Sequence, residues 1–306
     1  MHCYRLLGSA EDAEDALQET WVRAWRRLDS LKDQAALRAW LYRIATNVAL
    51  DMIAQRKARC LATSAFAPAD PHDRLPPSVN DPIWLEPLPD NYLDEHTLTP
   101  EARYEIHESV TLAFLAALQQ LPGRQRAVLL LRDVLGWHAA EVADLLELTI
   151  AAVNSALQRA RATLKKHQPD RAFATVRIND HQIATLLARY VQAWEAADSA
   201  SLITLLREDA VLTMPPIPAW YRGALDIQRF LDSFLFAGPA HGRFRLIAHR
   251  VNGCPAFAVY QRDGGVYRAA ALHILTIEHD QIAQIDDFLD FDQKLFKRFK
   301  LPLTTD

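Results

Sequence analysis

The sequence is poor in cysteine and has no long apolar run. Its 306 residues include three cysteines, Cys3, Cys60 and Cys254, an odd and scattered set without metal-ligand spacing. That excludes a disulfide framework and a thiolate metal site, and free thiols fit a reducing compartment, so a cytoplasmic protein is expected. Half of the residues are hydrophobic, yet no stretch approaches the roughly 18 apolar residues that cross a membrane. The opening MHCYRLLGS lacks a charged-then-apolar leader. No metal and no cofactor is expected. A strong positive balance is missing too, since the net charge is −4.

That charge is unevenly spread. Residues 1–62 hold ten basic and eight acidic side chains, 63–108 two and ten, 109–168 seven and four, and 169–306 fifteen and sixteen. Two mildly basic modules flank an acidic connector. The length suffices for two or three domains with cores of their own.

The most informative stretch is Leu121–Lys166, LPGRQRAVLLLRDVLGWHAAEVADLLELTIAAVNSALQRARATLKK. It reads as three helices: Arg124–Val134, ended by Gly136; His138–Leu146; and a third N-capped by Thr149. In the third, Ile150, Val153, Leu157, Ala160 and Leu164 share one face. Ala151, Ser155, Gln158, Arg159, Ala162, Lys165 and Lys166 occupy the other. Small residues, a hydroxyl, an amide and cations suit close approach to a major groove, with the cations left for phosphate. An ordinary amphipathic helix is the competing reading.

This stretch resembles region 4 of the extracytoplasmic-function group of RNA polymerase sigma-70 factors, whose helix-turn-helix reads the promoter −35 element. The resemblance implies −35 contacts by Ala151, Ser155, Gln158, Arg159, Lys165 and Lys166. One departure is Glu147, which stands in the turn where the family usually has Gly. If that position needs a positive φ, Glu costs on the order of 1 kcal/mol.

Upstream, Ala10–Leu28 reads as a helix with acids first and cations last. Leu17, Trp21, Ala24 and Leu28 form its expected buried stripe, leaving Gln18, Glu19, Arg23 and Arg26 outside. AEDALQETWVRAWRRL resembles sigma region 2.2, which implies docking of those four residues on the β′ clamp helices of core RNA polymerase. A second helix, Leu37–Arg59, carries Leu37, Leu41, Ile44, Val48 and Met52 inward. It resembles regions 2.3–2.4, which engage and melt the −10 element. Arg43, Asn47, Arg56 and Lys57 are the −10 candidates, on the ground that nothing internal asks for them. For Trp40 and Tyr42, core packing and a DNA contact both stay open. Family members carry a further helix ahead of HCYRLLGS, so the resemblance implies an N-terminally short region 2.

Eight of the sixteen prolines lie between Pro68 and Pro100, among acids and few aliphatics, so 63–108 is expected to be a linker. Its Trp84, Leu85, Leu88 and Tyr92 offer docking points on a neighbouring domain. A helix is expected from near Pro100 through Glu101–Leu118. After a connector at 167–176 the pattern becomes α+β. Helices are expected at Asp180–Ala197, Ser201–Leu206 and Leu225–Phe236. The expected strands are Ala210–Met214, Phe244–Val251, Ala256–Gln261, Val266–Glu278 and Gln281–Leu289, with NGCP, RDGG and EHD as turns. This order, with AVLTMPPIPAWYRGALDI and NGCPAFAVY, resembles a SnoaL-like domain, the cone shared with ketosteroid isomerase.

The expected fold class is therefore multidomain. Two all-α sigma modules, 1–62 and 109–168, are joined by the linker and followed by an α+β SnoaL-like cone at 177–306. Such a cone encloses a pocket, and Tyr190, Trp194, Trp220, Tyr260, His273 and Asp286 are candidate lining residues. No base-and-stabiliser pair is marked by spacing, so the chain is not expected to be an enzyme. The resemblance implies a sigma factor that recruits core RNA polymerase, through the β′ clamp helices and the β flap, to promoter DNA, its C-terminal domain regulating in cis. A polymerase-independent helix-turn-helix regulator and a C-terminal domain that binds or isomerises a small-molecule ligand are the alternatives.

Overall fold

The computed structural model describes residues 1–31, 33–80, 83–93, 109–167 and 180–306. Two compact units divide the chain. The first comprises Met1–Cys60 and Leu85–Phe173, the second Leu61–Trp84 and Ala174–Asp306. The acidic, proline-rich stretch is thus shared between them.

The first unit is helical. Its early helices are α1 (His2–Leu7), α2 (Ala10–Arg26) and α3 (Leu37–Gln55). Gly8 ends α1 at φ 69°, donating to the Tyr4 carbonyl at 2.7 Å. A Cβ there would come within 2.6 Å of Leu85, so both the left-handed turn and the close approach require glycine. The Ser9 hydroxyl caps α2 by accepting from the Asp12 amide at 3.0 Å. Asp12 is buried and meets Arg59 at 2.7 Å, while Arg59 also bonds Glu86 at 3.0 Å. Those ion pairs tie the start of α2 to the chain beyond α3 and to the 85–93 segment.

A one-turn helix, α4 (Ala62–Ala65), belongs to the second unit. The first unit resumes with α5 (Leu112–Gln119), whose cap is the Thr111 hydroxyl. The helix expected from Pro100 therefore starts afresh at Leu112; its part before residue 109 lies outside the described residues, as do most of the 167–176 connector's. Next come α6 (Gly123–Leu129), running into a π-helical turn over Leu130–Val134, then α7 (Ala139–Leu146) and α8 (Ile150–His167). Their core is Val128, Leu129, Leu131, Val142, Leu145, Val153, Leu157 and Ala160, all buried.

The second unit is α+β. It contains α9 (Asp180–Ala196), α10 (Ser199–Ile203), α11 (Ala224–Phe230) and α12 (Lys294–Arg298). One sheet holds β1 (Leu206–Met214), β2 (Ile217–Arg222), β3 (Phe244–Val251), β4 (Cys254–Asp263), β5 (Val266–Glu278), β6 (Gln281–Leu289) and β7 (Thr304–Thr305). The strand order is β2-β1-β6-β5-β4-β3, with β7 beside β5. Pairs are antiparallel except β1 with β6, which is parallel. The sequence reading stopped the β1 region at Pro215 and missed β2. That strand carries Pro218 and survives because it lies at the sheet edge, where a missing N–H is tolerated.

One sheet face packs on α9 and α11, with Leu212, Phe257, Val259, Ala271, Leu275 and Ile285 among its buried residues. The helices contribute Tyr190, Trp194, Ile227 and Phe230. Trp194, Phe236 and Phe244 meet ring to ring at 5.1–6.2 Å, so aromatic side chains fill this part of the cone. A satellite cluster of Tyr260, Ala258 and Phe296 covers the other face near the C-terminus.

The Leu61–Trp84 segment lies along β2. The Ala69 amide donates to the Trp220 carbonyl at 2.8 Å, the Val79 amide to the Pro216 carbonyl at 2.9 Å, and the Trp220 indole to the Phe66 carbonyl at 2.9 Å. Phe66 stacks on Trp84 at 6.1 Å, and Ala69 and Leu75 pack on the core. Few aliphatics were visible in this stretch, and it is held mainly by backbone bonds and two aromatic rings.

Candidate nucleic-acid interface

The turn between α7 and α8 supplies the left-handed residue that the sequence anticipated. Glu147 sits at φ 54° and ψ 49°. The Leu148 amide closes the turn on the Ala143 carbonyl at 2.9 Å, and the Thr149 hydroxyl caps α8 by accepting from Ala152 at 3.1 Å. Val153, Ala156, Leu157 and Ala160 are buried, which aims the opposite face outward. Ile150, expected inside, is half exposed. Ala151, Ser155, Gln158, Arg159, Lys165 and Lys166 are all exposed on α8. Arg161 braces the helix with two bonds to Asp133, at 2.9 and 2.7 Å.

The α3 candidates divide. Asn47 and Lys57 are exposed and Trp40 is half-buried. Arg43 and Arg56, expected to lack internal partners, both have them. Arg43 donates to the Asp144 carboxylate at 2.5 Å and to the Asp144 carbonyl at 2.6 Å, and Arg56 pairs with Asp12. Sequence spacing cannot reveal acids brought in from other helices. Tyr42 packs against His2 at 5.0 Å and Trp137 at 5.4 Å, a packing role. His2 bonds Thr46 at 2.8 Å, and burial pushes its pKa down to about 3. The α3 helix also ends at Gln55, short of the expected Arg59.

On α2 the expected stripe is displaced. Ala16, Thr20 and Ala24 are buried, whereas Leu17, Trp21 and Leu28 face outward, Trp21 57% exposed and Trp25 80%. Small side chains let α2 lie close to α3, and the large ones are left on the outer face. Gln18, Glu19 and Arg26 are exposed, and half-buried Arg23 bonds Glu19 at 2.7 Å and Asp51 at 3.0 Å.

In the second unit the six pocket candidates fall on two sides of the sheet. Tyr190, Trp194 and His273 converge. The Tyr190 hydroxyl and His273 Nδ1 are 2.8 Å apart, and Trp194 contacts the imidazole at 4.6 Å between centroids. Asp286 instead accepts from the Thr213 hydroxyl and the Gln284 amide, each at 2.8 Å. Trp220 and Tyr260 also leave the group, bonding the Phe66 and Pro302 carbonyls. The residue missed is Asp287. It pairs in register with His273 and places a carboxylate oxygen 3.4 Å from Nε2. Among the described residues that oxygen has no hydrogen-bond partner. Alternation along β6 showed that only one of Asp286 and Asp287 could face inward; the β5–β6 register decides it.

Burial governs the chemistry of this cluster. It pushes Asp287 up to about 7 and His273 down to about 3, and it raises Tyr190, with Asp287 adding to that shift. The neutral forms are favoured. The group is a low-dielectric polar island enclosed by aromatic rings.

Comparison with known proteins joins these parts. Residues 2–59 match the sigma-70 region 2 family, 111–164 sigma-70 region 4, and 187–285 the SnoaL-like domain. The chain is 43% identical over 304 residues to the ECF RNA polymerase sigma factor SigG of Mycobacterium tuberculosis, covering 98% of this chain and 80% of that one. The chain belongs to the ECF RNA polymerase sigma factors. A second relative, the ECF sigma factor SigW of Bacillus subtilis, is 27% identical and spans 55% of this chain and 81% of its own. The crystal structure of the M. tuberculosis sigma factor SigJ matches 99% of this chain and 95% of its own with a TM-score of 0.61 at 23% identity, a likeness of fold. These relatives are sigma factors and not enzymes, and they favour the sigma reading over a polymerase-independent regulator. Among the described residues of this sigma factor, no helix is long and apolar enough to cross a membrane.

Proposed function

We propose that this sigma factor reads the −35 element with Ser155, Gln158, Arg159 and Ala151, with Lys165 and Lys166 on the flanking phosphates. The −10 element falls to Asn47, Lys57 and Trp40, joined by Arg43 and Arg56 when their internal ion pairs open. Core polymerase is held on the β′ clamp helices by the outer face of α2, with Gln18, Glu19, Arg23 and Arg26 around its exposed tryptophans, and on the β flap by the region 4 module. The work is done in the cytoplasm. The observation that carries this reading is the α8 face, where a complete set of small, polar and cationic side chains is solvent-exposed above a buried apolar stripe. The decisive experiment is runoff transcription with core polymerase on a cognate promoter. Stimulation that disappears in Ser155→Ala/Gln158→Ala/Arg159→Ala supports the reading; equal stimulation by that variant removes it.

The C-terminal domain regulates in cis through the Leu61–Trp84 segment. Its support is the set of three hydrogen bonds that tie this part of the region 2–region 4 connection to β2. Removing residues 180–306 then changes transcription, and an unchanged level would reject the regulatory role. A small-molecule ligand of the Tyr190–His273–Asp287 cluster would shift the same balance.

A further inference from the structure

Arg43 is a −10 candidate whose guanidinium is already engaged. The partner is Asp144 on α7, the first helix of the helix-turn-helix, which takes one guanidinium nitrogen through both its carboxylate and its carbonyl. Beside it, Tyr42 packs its ring on Trp137, which leads into α7. A phosphate oxygen can no longer use that nitrogen, and at the remaining N–H groups the adjacent carboxylate repels it.

The rest of the seam between the early helices and the 109–126 stretch has an unusual composition. Arg126 donates to the Leu6 carbonyl, to the Gln119 side chain at 2.7 Å and to the Leu121 carbonyl at 3.1 Å. Arg5 donates to the Ser109 hydroxyl at 2.6 Å. Both guanidiniums are buried, and among the described residues their partners are carbonyl, hydroxyl and amide oxygens, with no carboxylate. Burial brings both pKa values down to about 10. Charges desolvated without an opposite charge hold a seam together less firmly than apolar packing would, and opening it returns them to water.

We propose that the first unit is a latched state in which α7 holds the guanidinium that promoter DNA requires, so that the Arg43–Asp144 pair and −10 engagement exclude each other. The proposal rests on the −10 assignment of Arg43. Release of the latch separates α3 from α7, exposes the Tyr42 and Trp137 rings, and frees region 2 to reach DNA while region 4 holds a different stretch of the same duplex.

The test uses the full chain with spin labels at Asp15→Cys on α2 and Ala162→Cys on α8, both exposed, in a Cys254→Ser background. The probes are a duplex selected from random sequence by the wild-type holoenzyme and the same duplex with its −10 half scrambled. The latch predicts one short inter-label distance in the free wild type and a longer, broader distribution in Asp144→Arg. Asp144→Ala should bind the intact duplex about two- to five-fold tighter, the range for an exposed ion pair, and Asp144→Arg at least as much. Neither gain should appear on the scrambled duplex; a gain there marks a new phosphate contact and counts against the latch. Unchanged label distances together with unchanged affinity overturn it. A wild-type holoenzyme that selects no duplex defeats the promoter-reading assignment instead, and the label distances still judge the latch.

Discussion

The two units of this sigma factor use polar side chains in opposite ways. In the first, α8 turns a hydroxyl, an amide and three cations to solvent above a buried stripe. In the second, a tyrosine, a histidine and an aspartate are shut inside a sheet-and-helix core, each no more than 4% exposed. Exposed groups keep their hydration until a partner displaces it and are suited to recognition. Enclosed groups have already given up water, and they express that in the pH dependence of stability. The contrast explains why the exposed face of α8 could be read from one helix, whereas the inner cluster needed three elements in register.

The largest expected effect would break the contrast on its buried side. Asp287 is raised from its ordinary 3.8 to about 7 by burial, so the folded domain binds a proton that the unfolded chain has released. The Asp287 contribution to stability is then fully present below about pH 4 and is lost as pH rises to about 7, an interval worth roughly 4 kcal/mol, while His273, lowered to about 3, contributes in the opposite sense. Asp287→Asn should stabilise the C-terminal domain by up to about 4 kcal/mol at pH 8 and progressively less toward pH 4. Denaturant unfolding at a series of pH values checks this, and parallel curves for variant and wild type would place Asp287 in contact with water.

A second effect sharpens the contrast within the first unit, where α2 exposes large rings and α8 exposes none. Trp21→Ser with Trp25→Ser should weaken core polymerase binding by about 2 kcal/mol or more, near thirty-fold. Duplex binding by the free chain should stay as it was. Polymerase titration and duplex titration of the same variant separate the two faces. Gln158→Ala follows, with an expected loss of about 1–3 kcal/mol confined to particular −35 base pairs. A selection experiment that returns the same preferred sequence for variant and wild type would make that helix a phosphate rail only. Smallest is Glu147→Gly, which should raise the melting temperature of the first unit through about 1 kcal/mol of relieved backbone strain at φ 54°.

How much could be read from the chain depended on what carried the packing. The helix-turn-helix was legible because Val153, Leu157 and Ala160 recur on one face and Thr149 marks the start. The α2 face was not, because hydrophobic periodicity favours the largest side chains, and here Ala16, Thr20 and Ala24 are the contacts that allow close helix approach. The absent partners of Arg43 and Arg56 were an inference from one helix alone; Asp144 and Asp12 arrive from elsewhere in the fold. The sheet emerged from turn compositions apart from the two-residue β7 and from β2, which was hidden by three prolines in four residues between Pro215 and Pro218.

The Leu61–Trp84 segment leaves the first unit after Cys60 and rejoins it at Leu85, whose amide bonds the Cys60 carbonyl at 3.0 Å. Everything between is a loop pinched at its neck. Unhooked from β2 and opened at that neck, the same residues would unroll to a contour of roughly 80 Å. The slack of that part of the connection between region 2 and region 4 is therefore stored as on a spool, along the edge of the sheet.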